Sequence, residues 1–386
     1  MRLFDDPLLQ QFAARALTMI PRGAAEFGEC QAAADAIAEG DDVSWYRSWT
    51  SLGDTVAEWA SVSDDKGHYL SAADAWLRAA TYYRTACYPL YGAPVDPRLV
   101  QGFRREEEAF RRFAALRKLR EVEIPYESVK LRGYLCPAQG GAEIERRPVV
   151  VSVGGVGTNA HERWAIHGLP AVRRGYHCLL LDGPGQGRAL IDLGLPMRPD
   201  WEYVMAPVLA HLRRHDDVDP DRIALVGVGF GAFLAARTAA AFPEVAALVT
   251  DPGPWDLGGD PPAEGDFTDP VMRWLYEGAG MWAHGFTDLD AYVADLRRYR
   301  LSEVVGGIGC PTFVAAAEAD LFSHRAALFY QALTCPKTFT VFTHAEGSAG
   351  PLELWNRSRF DQRSFDWLDE TLHHYPGMLG RPGSLG

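Results

Sequence analysis

No stretch of this 386-residue chain approaches the ~18 uninterrupted apolar residues that mark a membrane-spanning helix. The start, Met1-Arg-Leu-Phe-Asp-Asp-Pro7, lacks a basic segment followed by an apolar block, so it reads as the cap of a first helix and not as a secretory signal. Positive charge is not in excess. A formal net charge of −13 argues against nucleic acid or an anionic membrane surface as the main partner. Cys-x-x-Cys pairs are missing too. The six cysteines, at 30, 87, 136, 178, 310 and 335, lie far apart, which suits free thiols in a cytoplasmic protein better than a disulfide frame or a zinc site. Neither His-x-x-x-His nor His-Glu-x-x-His occurs, and His373-His374 falls near the end of the chain. No metal and no cofactor are therefore expected. What is left is a soluble cytoplasmic protein acting on a small molecule, with a homodimer compatible with the composition.

Hydrophobic residues make up 47% of the chain, enough for a sizeable core in one large domain with an addition. Residues 1–118 hold no convincing strand. Apolar residues recur there at helical spacing, as in Leu9, Phe12, Ala16 and Met19, or Leu70, Ala73, Trp76, Leu77 and Ala80. No fixed repeat period is found, so this segment reads as an all-helical domain. Its Arg104–Arg112 stretch reads as a solvated face of mixed charge. Trp45, Tyr46, Trp49, Tyr82 and Tyr83 read as core, with the lining of a pocket as the alternative for some of them. From residue 119 the period changes to that of strands. Val122–Leu135 alternates like an antiparallel pair, and apolar runs follow at Pro148–Val153, His177–Asp182, Ile223–Val226, Val245–Thr250, Thr312–Ala316 and Thr338–Phe342. Helical segments separate them, including an aromatic-rich insertion at about 257–306, and each run ends in a Gly-, Asp- or Pro-rich turn. This pattern predicts an α/β fold with a doubly wound, mainly parallel sheet over 119–386. Ligands of such sheets bind outside the carboxyl ends of the strands.

The most informative turn is Gly227-Val-Gly229-Phe-Gly231, set between an apolar strand and an alanine-rich helix. Two patterns overlap there. Gly227-x-Gly229-x-x-Ala232, with Asp251 ending the next strand, satisfies a dinucleotide-binding pattern in which the acid would hold a ribose. Units of that kind usually open their domain, whereas here at least two strands come earlier. The other pattern is the nucleophile elbow Gly-x-Ser-x-Gly, with Gly229 at the apex where the attacking serine would stand.

Further residues favour the elbow: Gly154-Gly-Val-Gly-Thr158 after a strand, Leu181-Asp-Gly-Pro-Gly-Gln-Gly187, Pro196-Met-Arg-Pro-Asp-Trp201, Val218–Gly227, Asp251-Pro-Gly253, Cys310–Val314 and Phe365–Thr371. On these the chain resembles, over nearly its whole length, the α/β-hydrolases with an N-terminal helical domain. That group includes 2,6-dihydroxypseudooxynicotine hydrolase, the fungal polyketide-shortening hydrolases and the FrsA-like esterases. The resemblance implies an α/β-hydrolase fold with the helical domain as lid. It also implies a catalytic serine at the elbow, an acid after a late strand and a histidine after the last one. The serine position is Gly229. The acid falls in Ala317-Glu318-Ala319-Asp320, where Asp320 matches best. The histidine position aligns with Pro351.

Without a hydroxyl and its imidazole, covalent acyl transfer has neither nucleophile nor base. Backbone donors persist whatever the side chains, and Phe230 N–H with Gly155 or Val156 N–H are candidates for an oxyanion hole. A hole without a nucleophile suits chemistry through an enolate-like anion: C–C cleavage, decarboxylation, dehydration, isomerisation or ring closure. Candidate acids and bases are Asp320, His344 and Glu346, then Glu318, His161 and Asp251, with His324 and Trp255 as lining. The expectation is a lyase, isomerase or cyclase of a polyketide-like or other specialised metabolite. The alternatives are a hydrolase using activated water, a ligand-binding pseudoenzyme and a dinucleotide-binding protein.

Overall fold

The computed structural model describes residues 2–38, 40–140, 146–258, 268–350 and 355–375. Five α-helices come first: Pro7–Thr18, Phe27–Asp35, Asp42–Asp65, Tyr69–Cys87 and Pro97–Leu116. Their starts are written locally. Asp6 accepts hydrogen bonds from Leu8 and Leu9 N–H, Asp41 from Val43 and Ser44, and Asp96 from Arg98; Pro7 and Pro97 sit at first-turn positions that need no donor. The inward faces carry Phe12, Trp45, Trp49, Tyr82 and Phe110, all fully buried; of the five aromatic residues read as core, Tyr83 is buried as well, whereas Tyr46 is only partly buried.

Eight strands follow in a single sheet: β1 (Arg120–Tyr126), β2 (Val129–Cys136), β3 (Arg147–Val153), β4 (His177–Leu181), β5 (Val218–Val228), β6 (Ala247–Asp251), β7 (Thr312–Ala317) and β8 (Lys337–Phe342). Their order is β1-β2-β4-β3-β5-β6-β7-β8. β2 pairs antiparallel with both β1 and β4, and every later pairing is parallel. β3, β4, β6 and β7 are buried along their whole length, since helices cover both faces and both side-chain registers must be apolar. One register (Val150, Leu180, Val226, Val249, Phe313) packs with the N-terminal helices and the C-terminal helix Arg357–Thr371. The other (Val151, Leu179, Leu225, Leu248, Val314) packs with Glu202–Arg213 and Phe230–Ala241. Residue 118 thus marks a change from helix to strand, yet the apolar core continues across it.

Two local readings need correction, at β6 and on the helix Pro97–Leu116, and the helical insertion gains detail. The β6 strand begins at Ala247 and not Val245, because Val245 N–H closes a turn on Phe242 O. In the insertion, helical winding runs through 270–284, including wider π-type turns over Trp274–Gly280, before a separate helix at Leu289–Leu296. The charged face on Pro97–Leu116 is solvated at Arg104, Arg105, Arg111 and Arg112, but Glu106 is 2% exposed. No described helix is long and apolar enough to cross a membrane.

Candidate active site

The elbow joins β5 to the helix Phe230–Ala241 through Gly229, whose φ of 57° and ψ of −128° lie in a region that side-chain-bearing residues rarely adopt. Its N–H donates to Asp251 O at 2.7 Å, so the apex is tied to the end of the neighbouring strand. The flanking glycines permit close packing. A Cβ on Gly227 would strike Gly231 O, one on Gly231 would strike Val153 O, and one on Gly155 would lie 2.7 Å from Gly231 N. Backbone of the elbow, not a bound phosphate, occupies the space that these missing side chains leave. Asp251 itself is fully buried, and its Oδ2 pairs with Arg357 of the C-terminal helix. The ion pair engages Oδ2, while Oδ1 is buried without a hydrogen-bond partner among the described residues, so Asp251 is turned into the core and not towards a ribose.

Of the three backbone donors considered, Gly155 is excluded, because its N–H is donated to Thr158 Oγ1 at 3.0 Å. The same hydroxyl donates to Gly155 O at 3.0 Å and so closes the loop after β3 on itself. Val156 and Phe230 N–H meet no acceptor among the described residues, and no side chain caps the helix that Phe230 begins. Both amides therefore carry unsatisfied donors, as the first N–H of a helix ordinarily does. Val156, Phe230, Trp255, Tyr276 and Met281 are partly buried hydrophobic residues on the margin of the second core, and the insertion reaches the elbow through Tyr299, whose ring lies 5.3 Å from that of Phe230. Among the described residues, no three His, Cys, Asp or Glu side chains converge where a metal ion could be held.

The acid and base candidates are distributed unevenly. Asp320 is buried just past β7, and its Oδ1 accepts from Phe322 N–H at 2.8 Å. Ala319 N–H donates to Ala349 O at 2.9 Å, which brings the loops after β7 and β8 together. His344 stands exposed in the turn after β8, its own N–H held by Glu318 Oε2 at 2.6 Å. Glu318, also exposed, therefore acts as a fastener for that turn. Glu346 is not a free base. It accepts from Arg359 at 3.0 and 3.1 Å and from Arg363 at 2.6 Å, joining the loop to the C-terminal helix. Partial burial opposes its charge, but the Arg359 hydrogen bond and the Arg363 charge hold its carboxyl below the ordinary value. His324 lies exposed on the helix Ser323–Ala332, with Nδ1 2.9 Å from Leu321 O. His161 is not an exposed helix-start residue: it is buried against Phe110 at a centroid distance of 4.5 Å, with Nδ1 3.0 Å from Glu106 Oε1. Pro351 falls outside the described residues.

Sequence reading missed the buried ionic groups that hold the strand-end loops. Arg163 is wholly buried and donates to Ser152 O (3.0 Å), Asn159 O (3.2 Å), Leu181 O (2.7 Å) and Asp182 Oδ1 (2.9 Å). Gln186 Nε2 reaches Gly154 O at 2.6 Å. The Asp182–Gly187 motif thus supports the loop that presents Val156. His284, in the insertion, also went unnoticed. It is buried edge-on to Phe230 at 5.5 Å, with Nδ1 3.3 Å from Asp295 Oδ2 and 3.2 Å from Tyr299 OH. No motif signals either residue; each is found only by what it touches.

Buried histidines give one pH-dependent consequence. His167 sits 2.8 Å from Ser152 Oγ, and burial, followed by the charges of Arg357, Arg163 and Arg22, pushes its pKa well below the ordinary value. It stays neutral when folded, while the unfolded chain takes up a proton below about pH 6.5. Stability from this group is complete above that value and is lost as pH falls through it. Asp369, raised to about 6 chiefly by burial, works in the opposite sense. Wild type and His167→Gln are therefore compared by urea unfolding at about pH 7.5 and about pH 5.5. The wild type is expected to lose more stability than the variant; equal losses would contradict the assignment.

The arrangement of elbow, strand-end loops and N-terminal helices agrees with known proteins. A family model described as FrsA-like esterase matches residues 31–252. Hydrolase LUC6 from Fusarium sp is 30% identical over 92% of this chain and 94% of its own. The 20-hydroxy-prefusarin hydrolase FUS2 from Gibberella moniliformis is 30% identical over the same shares, 92% and 94%. The chain belongs to the FrsA-like esterase family. Among solved structures, 2,6-dihydroxy-pseudo-oxynicotine hydrolase superposes with a TM-score of 0.78 at 21% identity, covering 92% of this chain and 95% of that one. The fold of this FrsA-like protein is accordingly that of the α/β-hydrolases, and it is an α/β-hydrolase-fold enzyme.

Proposed function

We propose that this FrsA-like enzyme performs non-hydrolytic chemistry through an enolate-like anion on a polyketide-like or other specialised metabolite. The observation that carries the proposal is Gly229 at the apex of an otherwise complete elbow, with Phe230 and Val156 N–H open beside it. When a proton or a C–C bond is lost next to a carbonyl, the electron pair moves onto the carbonyl oxygen. Two amides fixed by a helix start and a braced loop would stabilise that oxyanion without reorganising. Retro-aldol or retro-Claisen cleavage, decarboxylation, dehydration, isomerisation and ring closure share this demand. Asp320 would be the acid or base, with His344 on the rim. The N-terminal helices and the 257–306 insertion would close over the substrate. The substrate class is supported by a relative named for 20-hydroxy-prefusarin. The names of LUC6 and FUS2 also favour a second reading, hydrolysis; with glycine at the apex it would use an activated water and form no covalent intermediate.

Restoring a hydroxyl separates the proposal from a dormant serine hydrolase. Gly229→Ser is expected to leave p-nitrophenyl acetate hydrolysis at the background rate, since no imidazole is expected beside the new hydroxyl. A burst of nitrophenolate followed by turnover would show that a working base is present and would overturn this reading.

A further inference from the structure

We propose that Arg84, on the fourth N-terminal helix, is a positioning residue that sets the anion hole by holding the loop carrying Val156. The inference rests on the anion-hole reading of Val156 and Phe230. Gly157, next to Val156, has a φ of 71° and turns its carbonyl towards the helices. That oxygen accepts from Arg84 Nη2 at 2.6 Å and from Arg15 Nη1 at 3.3 Å. Arg84 Nη2 also donates to Glu162 Oε2 at 2.9 Å, and Tyr88 OH donates to Glu162 Oε1 at 3.1 Å. Glu162 lies in the first turn of the short helix that follows the loop, Ala160–Arg163. On its other side Glu106 Oε1 accepts from Asn159 Nδ2 at 2.5 Å and lies 4.0 Å from Arg84 Nη1.

Two cations and two anions, drawn from three N-terminal helices and the short helix after the loop, thus meet, with Arg84 at 5%, Glu106 at 2%, Glu162 at 7% and Arg15 at 16% side-chain exposure. Burial opposes the charge on Glu162, but Arg84 and then Arg15 bring its carboxyl below the ordinary value, so the pair remains ionic. Such a cluster adds little net stability over apolar packing, while its geometry is narrowly defined. What it does here is directional. Arg84 Nη2 holds together a carbonyl and a carboxylate that both follow Val156, while Nη1 donates to Tyr91 OH at 3.3 Å, so the planar guanidinium fixes the turn that orients Val156 N–H. A lysine would keep the charge and lose the fork. The N-terminal helices are then part of the machinery of the hole and not only its cover.

The test uses the full-length protein and 4-nitrophenol, whose phenolate oxygen mimics an enolate. Binding in the hole stabilises the phenolate form and is read from its absorbance at a pH where the free phenol is mostly protonated. Wild type and the surface control Arg112→Lys are expected to show the same stabilisation. Arg84→Lys is expected to lose about tenfold of it, which corresponds to about 1.4 kcal/mol. Its circular dichroism should match that of wild type, so that the loss reports on the hole and not on the fold. Equal stabilisation in wild type and Arg84→Lys would overturn the role of Arg84 alone. No stabilisation in wild type would overturn the anion-hole reading, and this inference with it. If Arg84→Lys fails to fold, Arg15→Lys, which loses the second donor to Gly157 O, decides between the same two outcomes.

Discussion

Arg163→Met is expected to cost about 3–5 kcal/mol of folding stability, the range for stripping one partner from a buried ion pair. The change leaves Asp182 charged in a site that water does not reach, and it removes donors from Ser152 O, Asn159 O and Leu181 O together. Burial already raises the Asp182 carboxyl against the pull of Arg163, so losing the guanidinium favours its protonated form. Urea unfolding at neutral pH should show a lower midpoint with an unchanged slope. The double variant Arg163→Met, Asp182→Leu should recover part of the loss, because an apolar pair has no charge left to desolvate. A midpoint within experimental error of wild type for the single variant would show that the pair contributes nothing.

Gly231→Ala tests the elbow by adding one methyl group. Its Cβ would fall on Val153 O and lie 2.7 Å from Gly154 C, both backbone atoms at the end of a central strand. Neither can turn aside as a flexible side chain would. Relief requires the helix Phe230–Ala241 to move away from β3, and overpacking of this kind costs about 1–3 kcal/mol or more. The same movement carries Phe230 N–H away from Val156 N–H. Stability and phenolate binding should therefore fall together. Ala substitution at Gly309, where a Cβ would meet nothing within 4 Å, is the control and should change neither. If Gly231→Ala kept both properties, the close approach of helix and strand would not be required.

Much of the architecture was legible in the sequence. Apolar runs such as Pro148–Val153 can be covered on both faces only in a sheet interior, and the Gly-rich turns after them mark strand ends. Helix starts could be read at Asp6-Pro7 and Asp96-Pro97, because caps act within three residues of themselves. The elbow was legible for the same reason, as a strand, a turn with positive φ and a helix lie in one short stretch. The site was read less well. Glu106 belongs to a run of charged residues and looked solvated, yet it meets His161, 55 positions away, in the core. Glu346 looked like a base because of its place after β8, and its arginine partners lie on the next helix.

The sequence by itself determined where the strands fall along the chain, the position of the elbow and the absence of a hydroxyl at its apex. These depend on local periodicity, on turn chemistry and on the identity of one residue. Only the tertiary structure decided which backbone amides are free, which carboxylates are already paired, and that Arg84 and Arg163 brace the loops beside Gly229. Those facts depend on side chains brought together from distant positions, 78 apart for Arg84 and Glu162 and 106 apart for Asp251 and Arg357. A buried charge is stable only beside a partner, and no local pattern records where that partner will come from.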